Sequence, residues 1–170
     1  VLPPVVGGTA LLFALGRRGL VGQWLDRWFG ITLPFTLTGA IVAATFVALP
    51  FYVIAVEGAL RSARRELDDL EGIAATLGAP PFTVLRRITL PRLLPAMGAG
   101  LALAWARALG EFGATITFAG NLPGRTQTLP LATFLALQSE PERAMALSLV
   151  MLVVALAVLL SMRDRWLPSR

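Results

Sequence analysis

The sequence predicts an all-α, multi-pass bundle of membrane-crossing helices, and three observations predict it. Of 170 residues, 56% are hydrophobic and 15% are charged, where soluble domains carry about 25% charged residues; the mean hydropathy is +0.72. The apolar residues fall in long runs, some of them as long as the ~20 residues that a helix needs to cross a bilayer. The charges lie mainly in the segments between those runs, as expected where loops and helix ends meet water.

Composition also excludes much chemistry. All 15 basic residues are Arg, and Lys, His and Cys are absent. Without Cys there is no disulfide or thiol nucleophile. Without His there is no imidazole metal site or Ser-His-Asp triad, so no catalytic residue and no metal site are expected. Without Lys there is no Walker A loop, whose Lys must reach the nucleotide phosphates. The net charge of +5 does not indicate nucleic acid, because the Arg residues stand in ones and twos rather than in a stripe.

The elements follow in order. Residues 1–15 are too short to span a bilayer and read as part of a membrane helix, where Pro3, Pro4, Gly7 and Gly8 introduce a kink or a close helix approach. The opening Val1-Leu2-Pro3-Pro4, without an initiator Met or signal-peptide features, reads as a truncated N-terminus. Residues 16–34 place Trp24, Trp28 and Phe29 among Arg17, Arg18, Asp26 and Arg27, which suits a short external interfacial helix with an aromatic belt. Residues 35–56 are 22 residues without a charge and read as a spanning helix that tolerates Pro50. Residues 93–119 read as a second span, interrupted by Arg107 and Glu111. Residues 120–143 form an external loop with a helical patch at Leu131–Leu137. Residues 144–162 span again, and 163–170 are a tail. Segment 57–92 and the tail hold nine Arg against six elsewhere, which places both in the cytoplasm.

Segment 57–92 carries the most informative pattern. Residues Glu66 to Leu77 favour a helix with an acidic first turn. Gly78 supplies a left-handed residue to close it, and Pro80 and Pro81 suit the start of a second helix. Pro91 and Pro95 are expected to end that helix. Ala74 and Ala75 present almost no side chain, so another protein surface can approach the backbone. Glu71, then Gly78, then Ile88, Leu90 and Pro91 fall at fixed distances over 21 positions.

This spacing resembles the EAA loop of the membrane subunits of bacterial ABC importers, and implies the type I importer (MetI-like) permease fold for the single domain 1–170. The resemblance implies a coupling helix that docks on an ATPase subunit, with Glu71, Ala74, Ala75, Gly78, Pro80, Ile88, Leu90 and Pro91 as the coupling residues. Within it, Glu71 is expected to pair with a basic residue of the ATPase.

The run Arg107-Ala108-Leu109-Gly110-Glu111-Phe112-Gly113-Ala114-Thr115-Ile116-Thr117 is the second distinctive feature. A carboxylate within a span is costly and faces a cavity or a paired base; Arg107 lies one turn earlier, at i, i+4. That pair serves either a pathway or only the packing of the helices. The run resembles the oxyanion branch of these permeases. Its continuation through Asn121-Leu122-Pro123-Gly124 is most similar to the molybdate permeases, with sulfate or tungstate permeases as the alternative.

The resemblance implies a pathway that includes Arg107, Glu111, Gly113, Thr115 and Thr117, in which hydroxyls and amides conduct an anion without trapping it. It also implies further helices before residue 1, a homodimer of this chain in the bacterial inner membrane, and two cytoplasmic ATPase subunits that bind ATP and Mg. An external oxyanion-binding protein delivers the substrate. No cofactor is expected on this chain itself. Two other classes compete: an intramembrane enzyme using Glu111, disfavoured by the absence of a second acid or base nearby, and a structural scaffold, which has no need of the Glu71-to-Pro91 spacing.

Overall fold

The structure is a computed structural model that describes residues 3–166, with side chains described through residue 160. Val1, Leu2 and the end of the tail, including Arg170, lie outside the described residues, as do the side chains of Arg163 and Arg165. Among the described residues there is helix and loop but no strand.

Helix α1 (Pro4–Leu15) begins cleanly, with Pro3 at the cap and Pro4 in the first turn, where a missing N–H costs nothing. The prolines therefore start this helix and do not kink it. Helix α2 (Gly22–Phe29) folds back on the end of α1, and Gly30 closes it at φ 64°.

Helix α3 (Leu37–Thr76) is 40 residues long. At about 1.5 Å per residue it extends ~60 Å, twice the ~30 Å hydrocarbon layer, so its charged half must leave the membrane. The expected boundary at residue 57 is absent. Residues 57–66 are mostly helix formers, and Glu57–Arg61 at 2.6 Å and Arg64–Asp68 at 4.0 Å pair at i, i+4 along the exposed face. Nothing there interrupts the backbone ladder, so the span and the first half of the charged segment form one rod.

After the turn come α4 (Pro81–Val84), a π-helical turn (Leu85–Thr89) and α5 (Leu90–Leu109). Pro91 and Pro95 were expected to end the helix, yet it continues through both and is long and apolar enough over Pro81–Leu109 to cross a membrane. The wide π turn ends two residues before Pro91, whose ring would otherwise press on the carbonyl of Arg87 four residues back.

The expected continuous span over 93–119 is broken. Helix α5 stops at Gly110, and a separate short helix α6 (Gly113–Phe118) follows. Helices α7 (Leu129–Ser139) and α8 (Pro141–Trp166) complete the chain. Residues 163–166 are thus the last turn of α8.

Helix α3 packs most extensively on α5, α1 on α6, and α7 on α8. The core lies where α1, α3 and α6 meet: Leu11, Ala43, Val47, Ala114 and Phe118 are buried together. Small residues make that approach possible. A Cβ on Gly8 would lie 2.8 Å from the Thr117 Cβ and 2.9 Å from the Ala114 backbone. Outside this core the membrane-spanning stretches are apolar on their outer faces; only 6% of the apolar window of α8 is buried. Surface of that kind requires lipid or a protein neighbour. Among the described residues three helices are long and apolar enough to cross a membrane.

Candidate functional site

The first cluster is the hairpin at the far end of α3. Its turn satisfies the last carbonyls of the helix in the Schellman arrangement: the Ala79 N–H donates to the Ala74 carbonyl at 3.0 Å and the Gly78 N–H to the Ala75 carbonyl at 3.0 Å. Gly78 has φ 79° and open space around it, so its requirement is backbone conformation rather than room. The Pro80 carbonyl then accepts from the N–H groups of Thr83 and Val84, at 2.9 and 3.2 Å, which starts α4.

Two side-chain ties close the base of the hairpin. The Thr89 hydroxyl donates to Glu71 Oε1 at 2.6 Å, and Arg92 pairs with Glu66. Glu71 thus has a partner within its own chain. A groove of about 360 Å³ runs between the arms, lined by residues that include Glu71, Ala75, Ala79 and Thr89. Ala74 and Ile88 are half-buried, whereas Ala75, Gly78, Pro80, Leu90 and Pro91 are exposed. At the tip Ile73, Leu77 and Phe82 stand 60%, 82% and 71% exposed. No local pattern marks Thr89 or Arg92, and Glu66, expected in the acidic first turn of a helix, lies instead in the interior of α3 because that helix runs unbroken from Leu37 to Thr76. Thr89 lies inside the Ile88-to-Pro91 run, but its reach to Glu71 depends on how the hairpin closes.

The second cluster lies at the α5–α6 corner, beside the start of α1. Glu111 is 2% exposed. Its Oε2 accepts from Arg107 at 2.7 Å, and its Oε1 accepts from the Ala114 N–H at 2.8 Å. The carboxylate therefore caps the first turn of α6, where backbone donors have no helical partner, and ties α6 to the last turn of α5. Arg107 also lies over the Phe51 ring of α3, at 5.7 Å.

The remaining candidates divide. Gly113 is packed against α1, where a Cβ would meet Pro4 and Val5 at 3.0 and 3.1 Å. The Thr117 hydroxyl donates to the Gly113 carbonyl at 2.7 Å, so it is engaged within its own helix. The Thr115 hydroxyl is buried and has no hydrogen-bond partner among the described residues. The structure thus brings Arg107 and Glu111 together as one unit, and places Gly113 and Thr117 in the α1–α6 packing.

Phe35, which no sequence motif marks, ties the C-terminal end of α6. It has φ 58°, its N–H donates to the Phe118 carbonyl at 3.3 Å, and its ring lies 3.1 Å from where Gly120 would carry a Cβ. The following Thr36 caps α3 by accepting from the Gly39 N–H at 3.0 Å.

Relatives share this sequence over most of its length. The chain is 53% identical to the Mycobacterium bovis molybdenum transport system permease protein ModB over 97% of its length, and spans about three fifths of that relative (61%). It is 44% identical to the Escherichia coli K12 protein of the same description, over 98% of this chain and 72% of the relative. It is also 35% identical to a probable sulfate transport system permease protein of Nephroselmis olivacea, over 94% of this chain and 55% of the relative. The family model described as the binding-protein-dependent transport system inner membrane component matches residues 1–170. With its apolar spans, its charged hairpin and this match along the whole sequence, the chain belongs to the family of inner membrane components of binding-protein-dependent transport systems.

Proposed function

We propose that this chain forms the membrane pathway of an ATP-driven importer of molybdate. In this reading the hairpin at 71–91 couples the pathway to a cytoplasmic ATPase. The observation that carries it is the hairpin itself: a rod extending beyond the membrane layer ends in a turn with exposed Ile73, Leu77 and Phe82, braced at its base by Glu71 and Thr89. An exposed apolar tip on a rigid stem suits transmission of force to a partner groove. The similarity to permeases described as molybdenum transporters supports the choice of anion.

The assembly is then a homodimer of this chain with two ATPase subunits, which bind ATP and Mg, and an external oxyanion-binding protein. The hairpin and C-terminus face the cytoplasm. This chain contributes transport and no bond-making chemistry. The α5–α6 corner forms part of the pathway wall, with the Thr115 hydroxyl buried behind it without an internal partner and the Arg107–Glu111 pair holding the corner in place. Glu71 closes the hairpin in this chain alone, and a basic residue of the ATPase would share its second oxygen when docked.

Replacing Gly78 with Val tests the coupling. The expected result is loss of ATPase co-purification and of ATP-dependent molybdate uptake in proteoliposomes, with a local cost of at least about 1 to 2 kcal/mol for the left-handed backbone at the turn and the membrane-spanning helices still folded by circular dichroism. Retained co-purification would rule out the docking role. A sulfate importer is the second reading, favoured by the similarity to a probable sulfate permease. Uptake of labelled sulfate in preference to molybdate, with the cognate binding protein present, would establish it.

A further inference from the structure

The end of the bundle opposite the hairpin carries a feature that transport does not explain. Helix α2 is locked onto the end of α1: the Leu20 N–H donates to the Phe13 carbonyl at 3.2 Å and the Val21 N–H to the Ala14 carbonyl at 2.8 Å. A Cβ at Gly22 would meet the Gly16 carbonyl oxygen at 2.0 Å, so the two helices meet backbone to backbone. The result is a fixed ledge rather than a loose arm. Along it Phe13, Leu20, Trp24 and Trp28 are exposed at 74%, 78%, 45% and 69%, and Trp24 and Trp28 stack edge to face at 5.4 Å.

This surface continues directly from the apolar flank of α1. Aromatic rings of that kind partition to the boundary between hydrocarbon and headgroups. The charges beside it have one sign in excess. Arg17 is paired with Asp26 at 3.1 Å, which draws the 17–18 turn against α2. Arg18 and Arg27 are the sequence neighbours of Arg17 and Asp26, both exposed and without an ion pair among the described residues. The Arg27 guanidinium lies 5.9 Å from the Trp24 ring centroid, which orients a cation next to an inserted ring.

The geometry points to a lipid site: α2 lies in the headgroup layer with Trp24 and Trp28 inserted, and Arg18 and Arg27 hold the phosphate of an anionic phospholipid. The ring pair supplies insertion, and the two arginines supply selection by charge. Arginine suits this role because its planar fork matches phosphate oxygens. The inference is independent of which anion is transported.

Brominated lipids test it. The full-length permease is reconstituted in phosphatidylcholine vesicles containing either brominated phosphatidylglycerol or brominated phosphatidylcholine at equal mole fraction. Tryptophan fluorescence is read in the parent and in a Trp24→Phe/Trp28→Phe variant, so that the difference reports these two rings. The difference signal should report enrichment of the phosphatidylglycerol by roughly thirtyfold, since each of the two surface arginines contributes about fivefold. Arg18→Gln/Arg27→Gln should bring the two lipids to equality and leave quenching by phosphatidylcholine intact, while Arg18→Lys/Arg27→Lys should keep most of the preference. Equal quenching by both lipids in the parent would overturn the phosphate site. A difference signal that neither lipid quenches would place protein over this face and overturn the insertion as well. Loss of the preference on adding inorganic phosphate, but not chloride at matched ionic strength, would assign the arginines to a free anion instead.

Discussion

The hydroxyl of Thr89 donates to the carboxylate of Glu71 across 2.6 Å and 18 positions of sequence. This bond joins the end of the longest helix to the π turn that starts the return crossing, so a displacement of the hairpin tip is passed to both α3 and α5. Stiffness at that joint is what the coupling role proposed for the hairpin requires, since a hinge there would dissipate the motion.

Replacing Thr89 with Val should remove this joint and leave the Arg92–Glu66 pair. A hydrogen bond to a charged group contributes about 1 to 2 kcal/mol when partly exposed. Hydrogen exchange across residues 77–90 should accelerate accordingly, with global melting little changed. ATP turnover should continue with less transport per ATP cleaved; unchanged coupling would show that the joint is dispensable.

Glu111→Ala should be far more damaging than Glu111→Gln. The alanine leaves the Arg107 guanidinium without its partner and the Ala114 N–H without an acceptor. The cost should be about 3 kcal/mol, toward the low end for a buried pair because the Arg107 side chain is 26% exposed. Glutamine keeps an acceptor for Ala114. Thermal melting in detergent distinguishes them, and Arg107→Ala/Glu111→Ala should recover part of the loss. Normal melting of Glu111→Ala with abolished uptake would move this residue from packing to the pathway.

The two adjacent glycines of α1 should respond differently to alanine. At Gly8 the added carbon meets fixed backbone of Ala114 at 2.9 Å, whereas at Gly7 it meets only the edge of the Phe46 ring at 3.4 Å. Overpacking at Gly8 should cost about 1 to 3 kcal/mol, and Gly7→Ala should be close to neutral. Melting temperatures of the two variants provide the comparison.

Phe35 sits at φ 58°, a conformation that costs a residue with a Cβ about 1 to 2 kcal/mol. Phe35→Gly should relieve that cost and lose the ring contact with Gly120, for a small net change in melting. Gly120→Ala should destabilise, because φ is 75° there and the Phe35 ring leaves 3.1 Å. A neutral Gly120→Ala would overturn both the backbone cost and the ring contact, whereas a loss of only about 1 kcal/mol would show that the ring moves aside.

Several elements were legible in the residues themselves because their cause is local. Apolar length marks the membrane crossings, and Gly78 followed by Pro80 and Pro81 marks the hairpin turn, since each of these residues restricts its own backbone. The Arg107–Glu111 pair was legible from i, i+4 spacing. The extent of α3 and the survival of the helix through Pro91 and Pro95 were not. Helix formers give no sign of whether a span stops at the membrane surface, and a π turn shifts the hydrogen-bond register without a distinctive composition.

The sequence by itself determined that this chain crosses a membrane, that its chemistry excludes thiol, imidazole and amine groups, and that residues 71–91 form a special turn. Those properties reside in side-chain type and in spacing along one helix. Only the tertiary structure decided that Glu71 is tied to Thr89, that Glu111 caps a separate short helix, and that Phe35 bridges to Phe118. Each of these contacts joins different elements, and their geometry depends on how the helices pack rather than on any single stretch of residues.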